Sequence, residues 1–175
     1  EAVELNPASA EAHAMLGWLL HWCDRRAESM AEYGCALELN PNLADGRYGR
    51  CLICDGSIAE GIDYLQRVIR LDPFHLGFYE AYLGLGYYLG GRLEEALRMF
   101  RTATRRMPLM SPPHVGLAAT AALLGLHDEA TAAVQVVQRI EPALTITDWL
   151  KLMRLARPEH AAALADGLRR AGMPG

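Results

Sequence analysis

Apolar residues recur along this chain at the spacing of α-helices, in pairs of helical segments that are joined by short turns. A proline follows each pair, and these prolines are Pro7, Pro41, Pro73, Pro108 and Pro142, at intervals of 34, 32, 35 and 34 residues. Proline cannot extend a helix and biases the preceding residue away from helical geometry. Each proline therefore marks the end of a two-helix unit, and the chain is predicted to be a tandem array of such units.

Aligning these units brings side chains of similar size to the same helix positions. Two positions hold small residues, one on each helix of a unit, and a third position on the second helix holds a bulky residue. Small residues allow two backbones to approach closely, so the pattern predicts tightly packed helix pairs. The three sets are Gly17, Cys51, Gly84 and Ala118; Ser29, Gly61, Ala96 and Ala130; and Tyr33, Leu65, Phe100 and Val134.

This order of small, bulky and proline positions in a helix pair of about 34 residues resembles the tetratricopeptide repeat (TPR). The resemblance covers residues 10–43, 44–75, 76–110 and 111–144, and residues 1–9 are similar to the end of a preceding repeat helix. It implies an all-α fold, a right-handed α-α superhelix in which the first helix of each unit lines a concave groove.

The second unit departs from the pattern because it is two residues short. The alignment places the loss near Asp55–Gly56, between the two helices of this unit. It also puts Arg50 at a position where the other units have Leu16, Leu83 and Leu117. The register of the second unit is therefore the least well defined by the sequence.

After the last proline of the series the repeat ends, and residues 145–175 are predicted to form C-terminal capping helices over the apolar face of the terminal unit. One helix is expected from Thr145 to Ala156, with Thr147 as its N-cap. Pro158 fits the first turn of a last helix, and Gly172 lies just past its end.

The C-terminal segment also shows a short similarity of its own. Residues 157–174 resemble the end of certain bacterial multidomain proteins, in which a class III nucleotide cyclase or a winged-helix regulator precedes a TPR array. This resemblance implies that the chain is the C-terminal regulatory or scaffold part of a larger bacterial protein.

The TPR resemblance also implies a binding site, because the concave groove of this family commonly binds a peptide or helix from a partner. Buried aromatic side chains dominate the energetics of interfaces, and the groove positions of this chain are rich in them. The alternative is that these residues pack against neighbouring repeats or against the chain's own C-terminal segment. The predicted groove residues are Trp18, His21, Tyr48, Leu52, Asp55, Phe78, Leu85, Tyr88, Val115 and Ala122.

Composition narrows the class of partner. The chain has 17 basic and 21 acidic residues, and this net charge of -4 argues against binding to nucleic acid. The longest apolar run, Val115 to Leu126, is shorter than the about 20 residues that cross a bilayer, which argues against a membrane protein. The four cysteines are too few for a disulfide scaffold and are predicted to be reduced, which favours a cytoplasmic location.

The motifs of enzymes and metalloproteins are missing from the sequence. Cys51 and Cys54 form a single C-x-x-C, but a structural zinc site usually needs a second ligand pair, so buried free thiols are the better interpretation. No catalytic residues, metal or cofactor are predicted. An enzyme with Cys51 or Cys54 as its nucleophile is the minor alternative.

Two functional hypotheses follow from the repeats. The first is a non-catalytic protein–protein interaction module that binds a protein or peptide partner in the concave groove. The second is a self-association module that forms a homo-oligomer of a signalling protein, such as a nucleotide cyclase.

Overall fold

The computed structural model describes residues 8–72, 74–75 and 77–175, and within these residues all regular secondary structure is helical. Ser9 begins the first helix by accepting a hydrogen bond from the backbone N–H of Ala12 at 3.1 Å. The predicted end of a preceding helix lies almost wholly outside the described residues. The helices are α1 Ala10–Trp22, α2 Arg26–Leu39, α3 Gly46–Asp55, α4 Ile58–Leu71, α5 Phe78–Leu89, α6 Leu93–Arg106, α7 Ser111–Leu123, α8 His127–Ile140, α9 Ile146–Met153 and α10 Pro158–Arg170.

The first eight helices form four antiparallel pairs, as the repeat pattern predicts. Pro41, Pro108 and Pro142 each directly follow the C-cap residue of a second helix, which confirms their role as stop signals. The first helices α1, α3, α5 and α7 also contact one another in succession, which places them on the inner side of the array. The side of these four helices that faces away from the second helices is called the concave groove below.

The second unit adopts a different register from the predicted one. In three units a glycine of the first helix lies against the bulky residue sixteen positions later, so close that an added Cβ would press on that side chain. These pairs are Gly17–Tyr33, Gly49–Leu65 and Gly84–Phe100. Gly49, not Cys51, therefore occupies the small position of the second unit, and the predicted alignment was wrong by two residues there.

The turns show where the second unit is two residues shorter than the others. Asp24, Gly56, Gly91 and Gly125 all have positive φ and occupy the same place in the four turns, so the turn of the second unit is not shortened. The shortening instead lies before α3, which has 10 residues where α1 has 13. The sequence did not reveal this because Gly49 and Cys51 are both small and fit the same position. In the corrected register, Arg50 takes the groove position of Trp18, Leu85 and Ala119, and Tyr48 takes the core position of Leu16, Leu83 and Leu117.

The C-terminal segment 145–175 forms two helices, but the first differs from the prediction. The N-cap of α9 is Thr145, whose hydroxyl accepts a hydrogen bond from the backbone N–H of Asp148 at 3.1 Å, so the assignment of Thr147 was wrong. The helix ends at Met153 rather than Ala156. The predictions for the last helix are confirmed, since it begins at Pro158 and Gly172 follows it with a φ of 81°.

The turn between α1 and α2 offers a test of local strain. Asp24 has a φ of 61°, a region that costs most L-residues about 1–2 kcal/mol, whereas the other three turns use glycine there. We expect Asp24→Gly to stabilise the chain by up to about 1 kcal/mol, as measured by urea denaturation. Gly91→Asp, in the equivalent turn of the third unit, should have the opposite effect, and equal stability of all three proteins would contradict the strain argument.

Candidate functional site

The concave groove is occupied by the chain's own C-terminal segment. The helix α10 packs against α7 and also contacts α5, while α9 packs against α10. The two ends of the segment are tied together because the backbone N–H of Ile146 donates to the carbonyl of Pro174 at 2.8 Å. Residues 145–175 therefore lie on the inner faces of the first helices instead of forming a further repeat.

The contact of α10 with the groove depends on a close approach of backbones. The hydroxyl of Tyr88 donates to the carbonyl oxygen of Ala163 at 2.9 Å. Gly167 lies directly against the Tyr88 hydroxyl, and an added Cβ there would be 3.1 Å from the carbonyl oxygen of Ala119. Leu164 and Leu168 are buried in the same cluster as the apolar residues of α7. The groove thus holds α10 by apolar burial together with a hydrogen bond to its backbone.

Arg50 is the centre of the other half of this interface. It is only 3% exposed, and its guanidinium carbon lies 5.4 Å from the ring centroid of Trp18, 5.0 Å from that of Trp22 and 6.0 Å from that of Tyr82. These distances are in the range of cation–π interactions, which fix a guanidinium in place while leaving its N–H groups free to donate. The aromatic residues therefore form a cage that orients Arg50 towards the groove.

The end of α9 docks on this cage. Nη2 of Arg50 donates to the carbonyls of Leu152 and Met153 at 3.4 and 3.5 Å, and Nη2 of Arg26 donates to the carbonyl of Arg154 at 2.7 Å. The last carbonyls of a helix have no partner within the helix and carry partial negative charge. Two guanidinium groups of the repeats thus cap a helix of the C-terminal segment. The chain continues along the groove edge, where the backbone N–H of Ala156 donates to the carbonyl of Cys54 at 2.8 Å.

His21 completes the cage as a neutral acceptor. Arginine can only donate, so the 3.0 Å contact between Nη1 of Arg50 and Nε2 of His21 requires that this nitrogen carry no proton. Burial lowers the pKa of His21 from 6.5 to about 4, and the charges of Arg50 and Arg26 add to the decrease. The imidazole is therefore uncharged at neutral pH.

This pKa predicts a loss of stability in acid. Between pH 6.5 and 4 the unfolded chain binds a proton at His21 that the folded chain does not, so the free energy of unfolding falls as the pH is lowered through this window. Urea unfolding midpoints of the wild type and of His21→Gln at pH 7 and pH 4 will measure it. The Gln oxygen can still accept from Arg50 but does not titrate, so the variant should lose less stability. The same pH dependence in both proteins would contradict the assignment.

Between the C-terminal segment and the groove lies a cavity of about 50 Å³. Its lining is almost entirely apolar and comes from both sides of the interface. The main lining residues are Phe78, Tyr82 and Leu85 from α5, Pro112 and Gly116 from α7, and Trp149, Met153 and Leu164 from the C-terminal segment. An adjacent pocket of about 450 Å³ is not covered by the segment and is bordered by Glu11, Asp45, Arg47, Phe78 and Tyr79. The groove is therefore closed over part of its length and open over the rest.

The predicted groove residues fall into two groups. Trp18, Phe78, Leu85 and Tyr88 border the cavities between the repeats and the C-terminal segment, and His21 supports Arg50 beside them. Val115 and Ala122 are buried on α7, in the apolar cluster that also contains Leu168. Of the predicted set, these seven lie at or beneath the interface with α9 and α10.

The shifted register of the second unit moves Tyr48 and Leu52 into the packing between helices, whereas Asp55 stays at the groove edge beside Arg26, which caps Arg154. Tyr48 packs between Tyr33 and Tyr64, with ring centroids 4.7 and 4.9 Å away, and Leu52 packs against Tyr64. Asp55 forms an ion pair with Arg26 at 3.0 Å. Sequence reasoning therefore missed Arg50, which a two-residue shift of the alignment would have placed on the groove.

The two cysteines of the C-x-x-C motif are buried thiols with raised pKa values. Cys51 and Cys54 are buried, and burial raises the pKa of the Cys51 thiol to about 12 and also raises that of Cys54, which is the opposite of nucleophile activation. Cys23 and Cys35 are exposed free thiols. Over the part of the chain that the structure describes, no three His, Cys, Asp or Glu side chains are grouped closely enough to hold a metal ion. Over the same residues, no helix has both the length and the apolar character that a membrane span requires.

Known structures share this architecture at low sequence identity. The chain is similar to YrrB, described as a TPR protein with an unusual peptide-binding site, with 20% identity, a TM-score of 0.66 and coverage of 97% of this chain and 88% of YrrB. It is similar to PilW, a type IV pilus biogenesis factor, with 19% identity, a TM-score of 0.73 and coverage of 97% and 77%. It is also similar to TTC0263, a TPR protein of Thermus thermophilus, with 22% identity, a TM-score of 0.67 and coverage of 94% of this chain and 92% of TTC0263. No protein-family model and no curated protein sequence matches the chain. The chain therefore has the fold of a TPR solenoid, with its own C-terminal segment docked in the concave groove.

Proposed function

We propose that this chain is a non-catalytic protein-interaction module whose concave groove binds a helix or peptide of a partner protein. The observation that carries the proposal is the docked C-terminal segment itself. The groove already holds a polypeptide by burying its apolar side chains and by hydrogen bonds to its backbone from Tyr88 and Arg50. Such contacts are the usual means of peptide recognition, and the similarity to YrrB supports the same kind of ligand.

The open pocket is the part of the groove that a partner reaches first. Phe78 is half-buried and lies between this pocket and the cavity beneath α9. Within the pocket Asp45 and Arg47 are paired at 2.7 Å, so the surface offers charge of both signs beside aromatic rings. A partner segment with apolar residues flanked by polar ones fits this mixture.

A matched pair of phenylalanines tests the groove. An array of synthetic peptides is probed with the intact chain, and each bound peptide is measured again with Phe78→Ala and Phe74→Ala. Phe74 is 93% exposed and lies outside the groove, so its loss should leave binding unchanged. Loss of an interface anchor such as Phe78 should weaken binding about thirtyfold. Equal affinities for both variants would rule out the groove as the binding site.

Self-association is a second candidate, and it rests on two exposed apolar side chains of α1. Met15 and Leu19 on α1 are 45% and 53% exposed. The equivalent positions of later units face the preceding unit, as Gly86 lies against Ile62 and Gly116 against Phe100. Two copies that joined through α1 would bury this face. Sedimentation of the wild type and of Leu19→Glu should then show a dimer that the variant loses, and a monomeric wild type at high concentration would exclude it.

The larger context is also a proposal. The similarity of residues 157–174 to the ends of bacterial cyclases and winged-helix regulators suggests that the module serves a catalytic or DNA-binding domain of a longer protein in the bacterial cytoplasm. The reading frame upstream of Glu1 tests this directly. A cyclase or DNA-binding domain there would support a regulatory role, and an unrelated sequence would overturn it.

A further inference from the structure

Arg50 is a buried cation whose partners are all uncharged. It donates to neutral His21 and to the carbonyls of Leu152 and Met153, and among the described residues no carboxylate lies within ion-pair distance of it. Burial of an unpaired charge is costly, so a buried guanidinium needs nearby groups that carry partial negative charge. Here that partial charge comes from the C-terminal end of α9.

The site at Arg50 is built from the repeats and not from the C-terminal segment. Trp18 and Trp22 of α1 and Tyr82 of α5 surround the guanidinium, and His21 holds Nη1. Nη2 points away from these contacts and is the atom that reaches α9. The ring and imidazole contacts of Arg50 therefore all come from the repeats, and only its Nη2 contacts come from the segment.

The docked segment has two unfavourable features of its own, which are unpaired buried nitrogen atoms and a residue in the left-handed region. Nε of Arg154 and Nδ1 of His160 are both buried without a hydrogen-bond partner within the protein, over the residues that the structure describes. Arg154 also has a φ of 52°, in the left-handed region that is unfavourable for a residue with a side chain. Both features weaken the docked state of the segment relative to a ligand that lacks them.

We propose that the concave groove is a receptor for the C-terminal turn of an α-helix, with Arg50 as its anchor, and that residues 145–175 are an exchangeable occupant of this receptor. The inference rests on the proposed function and names the class of partner. Such a partner is a helix whose last turn presents free backbone carbonyls to Arg50. It places a bulky apolar side chain where Trp149 lies and is followed by a helix with a small residue at the position of Gly167.

The segment 145–175 competes with a partner helix for the groove, and its covalent connection to α8 favours the segment. Because α9 follows α8 after a short connection, the segment has an effective concentration near the groove on the order of millimolar. A partner must exceed this competition, and a change that weakens the segment should open the groove. Gly167 is the place to make that change, because a larger side chain there would collide with the Tyr88 hydroxyl and the Ala119 backbone while leaving the repeats intact.

The experiment uses the full chain with Gly167→Leu and, as a control, Gly34→Leu on α2, where an added Cβ meets nothing within 4 Å. Hydrogen exchange of the α9 and α10 amides is measured first and should be faster in Gly167→Leu, with the α2, α4 and α6 amides unchanged. A labelled synthetic peptide of residues 145–175 is then titrated. It should bind Gly167→Leu at least about tenfold more tightly than the wild type or Gly34→Leu, because the intramolecular competitor is removed.

The double variant Gly167→Leu/Arg50→Gln tests the anchor. Loss of the charged donor should weaken peptide binding about tenfold or more, since hydrogen bonds from a charged group are the stronger kind. Equal affinity of the single and double variants would overturn the role of Arg50. Trp149→Ala is a second variant that should loosen the segment. If the α9 and α10 amides stay as protected from hydrogen exchange in both Gly167→Leu and Trp149→Ala as in the wild type, the segment is not an exchangeable occupant. Failure of the peptide to bind after the segment is released would overturn the proposal as well. The Phe78 test asks whether the groove binds any peptide, whereas these results concern only Arg50 and exchange of the segment, so failure of one proposal is distinguishable from failure of the other.

Discussion

Replacing Phe100 with alanine is expected to lower the free energy of unfolding by about 3–5 kcal/mol, the usual loss for a large side chain in a packed core. Phe100 on α6 is 3% exposed, and its ring fills the space beside two glycines of neighbouring first helices. An added Cβ at Gly84 would be 3.0 Å from this ring, and one at Gly116 would overlap it. No smaller side chain fills that space, so the variant leaves a cavity between the third and fourth units.

Phe74→Ala is the matched control, because this phenylalanine is 93% exposed and its loss should change stability by no more than about 0.5 kcal/mol. Urea denaturation followed by circular dichroism compares the two variants with the wild type. If Phe100→Ala were as stable as Phe74→Ala, the ring would not join the two units as described. A lower denaturant dependence in Phe100→Ala would show instead that the third and fourth units unfold separately.

The helix pairs and their ends were predictable because the signals are local. A proline after each pair stops the second helix, and a residue with positive φ marks each turn, three times as glycine. These constraints act within a few residues and recur at a fixed period. The prediction of a preceding helix at residues 1–9 remains untested by the described residues.

The register of the second unit shows where such local signals end. Gly49 and Cys51 are both small, so the size of the side chain alone allows either to face the second helix. The choice is made by the contact with Leu65 and by the late start of α3, both of which depend on packing between units. A charged residue at a core position was the available signal, because moving Arg50 by two positions takes it from the core to the groove.

The docking of the C-terminal segment in the groove could not be inferred from its sequence. Its helical pattern and its caps are local, and they predicted α10 well. Its destination depends on a long-range fit, in which Gly167 meets Tyr88 and the end of α9 meets Arg50, more than 70 residues away in the sequence. Aromatic groove positions alone are compatible with a partner, with another repeat or with this segment.

Arg50→Met is expected to destabilise the chain by about 2–4 kcal/mol and to loosen the C-terminal segment first. Methionine keeps much of the apolar volume but leaves the His21 acceptor and the carbonyls of Leu152 and Met153 unsatisfied, at about 1–3 kcal/mol for each group that stays buried. Part of this cost is relieved if α9 leaves the groove and its carbonyls reach water. The expected result is therefore release of the segment before global unfolding.

Tryptophan fluorescence can follow this release, because the three tryptophans of the chain border one cavity beside Arg50. They are Trp18, Trp22 and Trp149. Fluorescence emission of Arg50→Met should shift to longer wavelength at denaturant concentrations that leave the helical circular dichroism intact. Arg98→Met, on the exposed face of α6, is the control and should match the wild type in both signals. Coincident fluorescence and dichroism transitions in Arg50→Met, at the wild-type midpoint, would mean that Arg50 does not hold the segment. In that case the apolar contacts of α10 alone would account for the closed groove.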